Sequence, residues 1–261
     1  SLYTDTVVIP TYELRPPDKN PPFQRTGHWS VYPYPMLDDL GSALVNQGYF
    51  AVILENEYLR LTILPDMGGK LYSAVDKITG HDMFYRNSVV KPGLIALRGA
   101  WCAGGVEFNF PVGHSVTCFS PVDYRLMESE AGGATCWIGA IEHVTRMQWC
   151  VGLTLFPMCS AFQTDVRVYN RTPYPHRYYF WQNAAIPAPH DLRLVFPARK
   201  VRWAGSVVPY PLHQGLDPDG ARGRDANQLA EGRCGGLRGQ EAADEGEQEA
   251  GAHGGSGVSP A

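Results

Sequence analysis

The sequence predicts an all-β protein, built as a large two-sheet antiparallel β-sandwich. Short stretches in which apolar and polar residues alternate recur along the chain, and this period of two is that of a β-strand. Turn signals such as Gly-Gly and Thr-Gly separate these stretches at intervals of roughly 8–12 residues. No stretch keeps the spacing of an amphipathic helix over three turns. The strands are too many for a small sandwich, so we expect a large one.

The first 35 residues predict one strand and an irregular aromatic segment. Residues 1–22 contain the strand TDTVVIPTYEL and then the proline-rich connection RPPDKNPP, where proline removes hydrogen-bond donors and favours extended backbone. Residues 23–35 carry several aromatic residues between turn residues. This segment either packs across a sheet or forms a wall of a binding cleft.

Regular strands begin near Tyr49. Residues 49–54 and 59–64 both alternate around a turn at residues 55–57, which predicts a hairpin, and Gly68-Gly69 then permits a tight turn at positive φ. A strand on each side of the Thr79-Gly80 turn is expected next. Further strands are predicted within VTCFSPVDYRLMES, ATCWIGAIEHVTRM, QWCVGLTLFPM, AFQTDVRVYNRT and HRYYFWQNAAI.

A change of composition near Ala204 predicts a domain boundary. From Pro211 onward there is no Phe, Trp, Tyr or Ile, and 13 of the 28 glycines follow Ala204. Such a segment buries too little apolar surface to offset the entropy of ordering it. We therefore predict a sandwich domain over residues 1–204, incomplete at its C-terminal end, and a disordered low-complexity tail over residues 205–261. The tail's bias also suggests out-of-frame translation, with the natural domain continuing past Ala204.

Charge and motifs exclude several classes of function. The net charge of −4 favours neither nucleic acid nor an anionic membrane as a partner, and no apolar run approaches the ~18 residues of a transmembrane helix. Phosphate-binding, dinucleotide, zinc-protease and α/β-hydrolase motifs are absent, so we expect no cofactor and no metal.

The six cysteines lack CxxC or zinc-finger spacing and are expected to be buried thiols. With no visible signal peptide, we expect a cytoplasmic protein. The oligomeric state is not readable.

The segment GAWCAGGVEFNFPVGH, residues 99–114, has the residue types of a sugar site. On its strand, Glu107 and Asn109 share one face, and a neighbouring carboxylate and amide can bond adjacent sugar hydroxyls. Trp101 offers a ring face for the C–H side of a pyranose, while Glu107 and His114 are proton-transfer types. The same pattern also fits a solvated sheet face with a packed tryptophan.

Two further groups are candidates. Lys70 and Arg98 each sit beside glycine and could donate to a sugar hydroxyl, or could instead be a surface cation or the partner of an acid. In FWQNAAIPAPHD, Trp181 and Asn183 share a strand face, and a buried Asn183 would need partners that a ligand could supply. His190 follows in a proline-rich loop, as a second candidate acid or as an exposed histidine.

Several motifs in order resemble one family. The sequence is similar to a bacterial domain of unknown function that is often followed by tetratricopeptide repeats, with a fold like that of galactose mutarotase. The resemblance covers about Thr4 to Ala204. It implies an antiparallel β-supersandwich and a ligand-facing role for Trp101, Glu107 and Asn109. The motifs that carry it include LENEYLRLTILPDMGGKL, DKITGHDMFYRN, GGVEFNFP, FSPVDY and FWQNAA.

Two functions remain open from sequence. In the first, the domain binds a sugar and catalyses mutarotation, with Glu107 as base and His114 or His190 as acid. In the second, it is a non-catalytic carbohydrate-binding or scaffold domain that uses tryptophan stacking and asparagine hydrogen bonds. A glycoside hydrolase is a weaker third, because it needs two carboxylates ~5–10 Å apart and only Glu107 is a clear candidate.

Overall fold

The computed structural model describes residues 1–26, 29–128, 132–190, 192, 200–203 and 206–209. Over these residues the protein is all-β with antiparallel sheets, as predicted. One short 3₁₀ helix, Pro65–Met67, follows the fifth strand. No helix in the described part of the chain is long and apolar enough to cross a membrane. The strands are β1 Leu2–Leu14, β2 Arg25–Thr26, β3 Trp29–Ser30, β4 Leu40–Glu55, β5 Leu59–Leu64, β6 Lys70–Asp76, β7 Gly93–Ala96, β8 Gly99–Trp101, β9 Val106–Asn109, β10 Asp123–Glu128, β11 Ala134–Ile141, β12 Gln148–Leu155, β13 Phe162–Tyr169, β14 Trp181–Ala184, β15 Lys200–Trp203 and β16 Ser206–Pro209.

Two large sheets make up the sandwich. The first has six strands in the order β1-β4-β5-β6-β9-β14, and the second is a meander of β10, β11, β12 and β13. The predicted hairpin is present as β4 and β5, but β4 begins at Leu40, nine residues before the expected start, because its first part pairs with β1. The first sheet thus gains a long two-stranded ribbon at one edge.

One predicted strand is absent. The chain after Gly80 makes only a single bridge, between Asp82 and Val75, where a strand was expected. The Asp82 carboxylate explains the difference, because its Oδ1 accepts hydrogen bonds from the backbone N–H groups of Ala74, at 3.1 Å, and Phe84, at 3.2 Å. A side chain that accepts the hydrogen bond of the neighbouring strand's N–H competes with the backbone carbonyls through which another strand would pair.

The core lies between the two sheets. Alternate residues of β5, β9, β11 and β12 point into it, as the period of two predicts. Full burial of a side chain of this kind is worth roughly 1.5–3 kcal/mol. The fully buried members include Leu59, Leu61, Ile63, Phe110, Cys136, Ile138, Trp149, Val151 and Leu153.

The six-stranded sheet is apolar on its other face as well. A second buried cluster there includes Ala51 and Ile53 of β4 together with Val90 and Cys102, which belong to the long connection between β6 and β9. Because this connection covers the outer face, all four residues of 51–54 are buried. The candidate site residues on β9 lie beneath the same covering segment.

Four of the five cysteines in the described residues are buried, as predicted, and Cys150 is only partly buried. Cys102, Cys118 and Cys136 are buried and form no disulfide. Burial raises the pKa of Cys136 to about 12, and the same cause, with the nearby charge of Glu107, raises the pKa of Cys118 to about 12. Cys234 lies outside the described residues.

The domain boundary predicted at Ala204 falls between the two strands of the β15–β16 hairpin, in which Trp203 pairs with Ser206. Residues 210–261, which hold most of the predicted tail, lie outside the described residues. The proposed boundary and the out-of-frame hypothesis therefore stay predictions.

Glycine at position 105 is required by close contact between strands. Its φ is 63°, and a Cβ there would overlap the carbonyl oxygen of Leu71 and come within 3.1 Å of the Tyr72 Cα. We expect Gly105→Ala to lower the free energy of unfolding by about 3 kcal/mol or more, since left-handed strain and displacement of β9 from β6 add together.

The matched control is Gly80→Ala. Gly80 has a similar φ of 71°, but no atom lies within 4 Å of its Cβ position, so only strain of about 1–2 kcal/mol is expected. Urea denaturation of both variants measures the difference. Equal losses would contradict the close approach of β9 to β6.

Candidate functional site

The carboxylate of Glu107, on β9, is the centre of the candidate site. Its side chain is 5% exposed, and three side chains bond to it. Oε2 accepts a hydrogen bond from Trp101 Nε1 at 2.8 Å, and Oε1 accepts one from Asn183 Nδ2 at 2.8 Å. His114 Nδ1 lies 2.8 Å from Oε1. A buried carboxylate is tolerated because donors replace the water that it loses.

Strand geometry explains why these residues meet. On β9, Val106 and Phe108 point into the core between the sheets, so Glu107 and Asn109 point to the opposite face. β14 pairs antiparallel with β9, and this register puts Asn183 opposite Glu107. Residues more than 70 positions apart in sequence thereby share one face, a proximity that neither motif predicted.

His114 is oriented by Glu107. An ionised carboxylate can only accept, so with Glu107 ionised the Nδ1 of His114 donates to it. This tautomer leaves Nε2 as the nitrogen that can take up or release a proton. The ring lies between two indoles, with centroid distances of 5.2 Å to Trp101 and 5.1 Å to Trp181. The side chain remains 22% exposed.

The loop that carries His114 is fixed at two points. Asn109 Oδ1 accepts a hydrogen bond from the Ser115 N–H at 2.9 Å, and Trp181 Nε1 donates to the Gly113 carbonyl at 3.2 Å. Asn109 is fully buried, and its Nδ2 has no hydrogen-bond partner in the described part of the chain. Asn109 therefore holds the loop and presents no surface to a ligand.

Lys70 lies at the inner edge of the site. It is 3% exposed, and its Nζ donates to the carbonyls of Cys102 at 3.2 Å and Gly104 at 2.9 Å. These bonds anchor the segment that leads into β9. An ammonium group has three donors, so one remains for another acceptor.

A hollow of about 60 Å³ opens between these groups. Pockets for small ligands usually measure ~300–1,000 Å³, so a whole pyranose ring does not fit inside this one. It has room for a hydroxyl group or the edge of a ring. Its lining consists of Lys70, Trp101, Ala103, Gly104, Gly105, Glu107, Asn183 and Ala185.

Two predicted site residues lie elsewhere. Arg98 is buried, and its guanidinium donates to the carbonyls of Pro35 at 2.8 Å and Val116 at 3.1 Å, and to the Ser120 hydroxyl at 2.9 Å. Its burial lowers its pKa. Arg98 thus ties the β7–β8 turn to two other loops, and it does not line the hollow. His190 is exposed in the loop after β14 and is not among the three partners of Glu107.

A second and larger hollow was not anticipated from the sequence. It measures about 320 Å³ and lies on the outer face of the four-stranded sheet. The Trp137 indole there lies against Gly152, and the Arg167 guanidinium is 4.4 Å from its ring centroid. A sequence feature that could have revealed this arrangement is a tryptophan in one strand opposite a glycine in the next, across β11 and β12.

Replacing Glu107 tests the hydrogen bonds of the site without changing its size. In Glu107→Gln, an amide N–H₂ faces at least one of the three N–H donors, so a buried hydrogen bond is lost. We expect the free energy of unfolding to fall by about 1–3 kcal/mol. The exposed Glu128→Gln is the control and should stay within ~0.5 kcal/mol. Chemical denaturation that leaves Glu107→Gln as stable as wild type would contradict the bonding described.

Comparisons with known proteins identify the family. The domain of unknown function DUF5107 matches residues 27–226, which include every candidate site residue. A solved structure of a TPR-domain-containing protein from Parabacteroides distasonis ATCC 8503 is 30% identical, with a TM-score of 0.65, and the match covers 72% of this chain. The chain spans 32% of that protein's length. The resemblance to a domain of unknown function is thereby confirmed: the chain belongs to the DUF5107 family.

Proposed function

We propose that the chain binds a carbohydrate at the Glu107–His114 site and that His114 exchanges protons with the bound sugar, as in aldose mutarotation. The observation that carries this proposal is an imidazole between two indoles, held by the buried Glu107 carboxylate, which itself lines the hollow together with Trp101. A fold of the galactose mutarotase-like superfamily is part of the proposal. The two-sheet antiparallel architecture supports it.

Sugar recognition follows from the chemistry of the lining. A pyranose has a ring of hydroxyl groups and apolar C–H faces, so it needs both hydrogen-bonding groups and aromatic surfaces. Lys70 and Asn183 supply donors in the hollow, while Trp101 and Trp181 supply partly exposed indoles beside it. One edge of the sugar occupies the hollow, and the rest of the ring lies against the aromatic side chains.

Proton transfer is assigned to His114. Ring opening of a cyclic aldose removes the proton of the anomeric hydroxyl, breaks the bond between the anomeric carbon and the ring oxygen, and protonates that oxygen. Nε2 of His114 takes the first proton, water supplies the second, and His114 then returns its proton to the hydroxide. Glu107 acts through His114, because both of its oxygens are occupied by N–H donors. This role differs from the base expected from sequence.

A non-catalytic carbohydrate-binding domain is the second candidate. Its supporting observation is the small hollow, which does not enclose a sugar and leaves the ring open to water. Because both oxygens of Glu107 already accept hydrogen bonds, its carboxylate also provides no second proton-transfer group. In this alternative, the same tryptophans and Asn183 bind the sugar and no chemistry follows.

Polarimetry tests the catalytic proposal. We expect the full chain to accelerate mutarotation of at least one freshly dissolved α-anomer among glucose, galactose, mannose and xylose. His114→Ala should lose about 10²-fold or more of that acceleration, because general acid–base catalysis contributes ~10²–10⁴-fold. Glu107→Gln should also lose rate, since His114 then loses its orienting acceptor.

His190→Ala is the control and should retain the wild-type rate. Equal rates for wild type and His114→Ala would remove His114 from the mechanism, and loss of rate in His190→Ala would transfer the role to His190. Saturable sugar binding without acceleration would favour the second candidate. A folded protein that accelerates none of the four sugars, and binds neither them nor their oligomers, would exclude both candidates.

A further inference from the structure

We infer that the ligand is an oligosaccharide, with Tyr179 and Trp181 forming a platform for the sugar unit next to the one in the hollow. This inference rests on the proposed function and specifies its substrate class. It adds Tyr179, which the sequence did not single out.

Aromatic rings form a continuous row that starts at the hollow. Trp101 lines the hollow, and His114, Trp181 and Tyr179 follow, with successive centroid distances of 5.2, 5.1 and 6.5 Å. Each step is comparable with the width of a pyranose ring. The first two pairs of rings are steeply inclined, at 59° and 64°, so a chain of sugars entering the hollow would stack mainly on the nearly parallel outer pair.

The outer end of the row is open and nearly flat. The rings of Tyr179 and Trp181 are inclined by only 28°, and at 6.5 Å they are offset rather than face to face. Tyr179 is 62% exposed. An offset and nearly parallel pair presents more apolar face to a ligand than a single ring does. Sugar C–H groups stack on such a face.

The backbone and the indole N–H hold this platform in place. The Tyr179 N–H donates to the Pro111 carbonyl at 2.7 Å, and Trp181 Nε1 donates to Gly113 at 3.2 Å. Both acceptors belong to the loop that carries His114. The platform and the proton-transfer group are thus positioned by the same segment. Because its side chains are already ordered, binding there costs little conformational entropy.

The volume of the hollow also favours a chain over a free sugar. About 60 Å³ holds only the edge of one ring, which gives a monosaccharide few contacts. A longer ligand keeps that edge contact and adds stacking on Trp181 and Tyr179. Affinity should therefore rise with the number of sugar units.

Isothermal titration calorimetry on the full chain tests this dependence. The probes are glucose, galactose, mannose and xylose, each compared with its β-1,4-linked tetrasaccharide. For the sugar that binds, we expect the tetrasaccharide to bind about tenfold more tightly than the monosaccharide. Tyr179→Ala should weaken tetrasaccharide binding to the affinity of the monosaccharide. The affinity for the monosaccharide itself should not change. Tyr179→Phe, which keeps the ring, should retain the difference.

Tyr174→Ala is the matched control, because Tyr174 is 70% exposed and lies outside the row. This variant should bind both probes as wild type does. A tetrasaccharide that binds no better than its monosaccharide would overturn the inference and leave the proposed function standing. An advantage that persists in Tyr179→Ala would overturn it too. Failure of all eight probes to bind would defeat the proposed function, and this inference with it.

Discussion

Burial of the Glu107 carboxylate is the constraint on which the site depends. A charged group that is 5% exposed is stable only when donors replace its water, and here the donors come from β8, β14 and the loop after β9. Losing one of them leaves a costly unpaired acceptor. Folding therefore selects the orientations of Trp101, His114 and Asn183 together, and a ligand meets groups that are already positioned.

Strand periodicity accounts for the part of the site that the sequence could predict. The alternation in VEFN correctly placed Glu107 and Asn109 on one face, and that in WQNA did the same for Trp181 and Asn183. Burial was harder to predict, because it depends on segments that are distant in sequence. Asn109 is enclosed by the loop after its own strand, and Arg98 is enclosed by three loop carbonyl or hydroxyl groups. The sequence of a strand does not determine which distant segment covers its residues.

The same limit applies to the fold. Its class and the β4–β5 hairpin follow from local alternation, whereas the early start of β4 depends on pairing with β1, more than 25 residues away at that end. Residues 51–54 are all apolar and all buried, the pattern of a strand covered on both faces, although we predicted only alternation there. The covering segment, between β6 and β9, is mostly irregular and carries no periodic signal. It nevertheless supplies Trp101 to the site.

The buried thiols near the site have a consequence for its chemical durability. Burial raises the pKa of Cys118 to about 12, with the negative charge of Glu107 as a smaller cause, so its thiolate is scarce at neutral pH. Peroxides and alkylating agents attack the thiolate, so this sulfur is almost inert to them. Enclosure of the Cys118 side chain, more than the Glu107 charge, thus protects an oxidisable neighbour of the site.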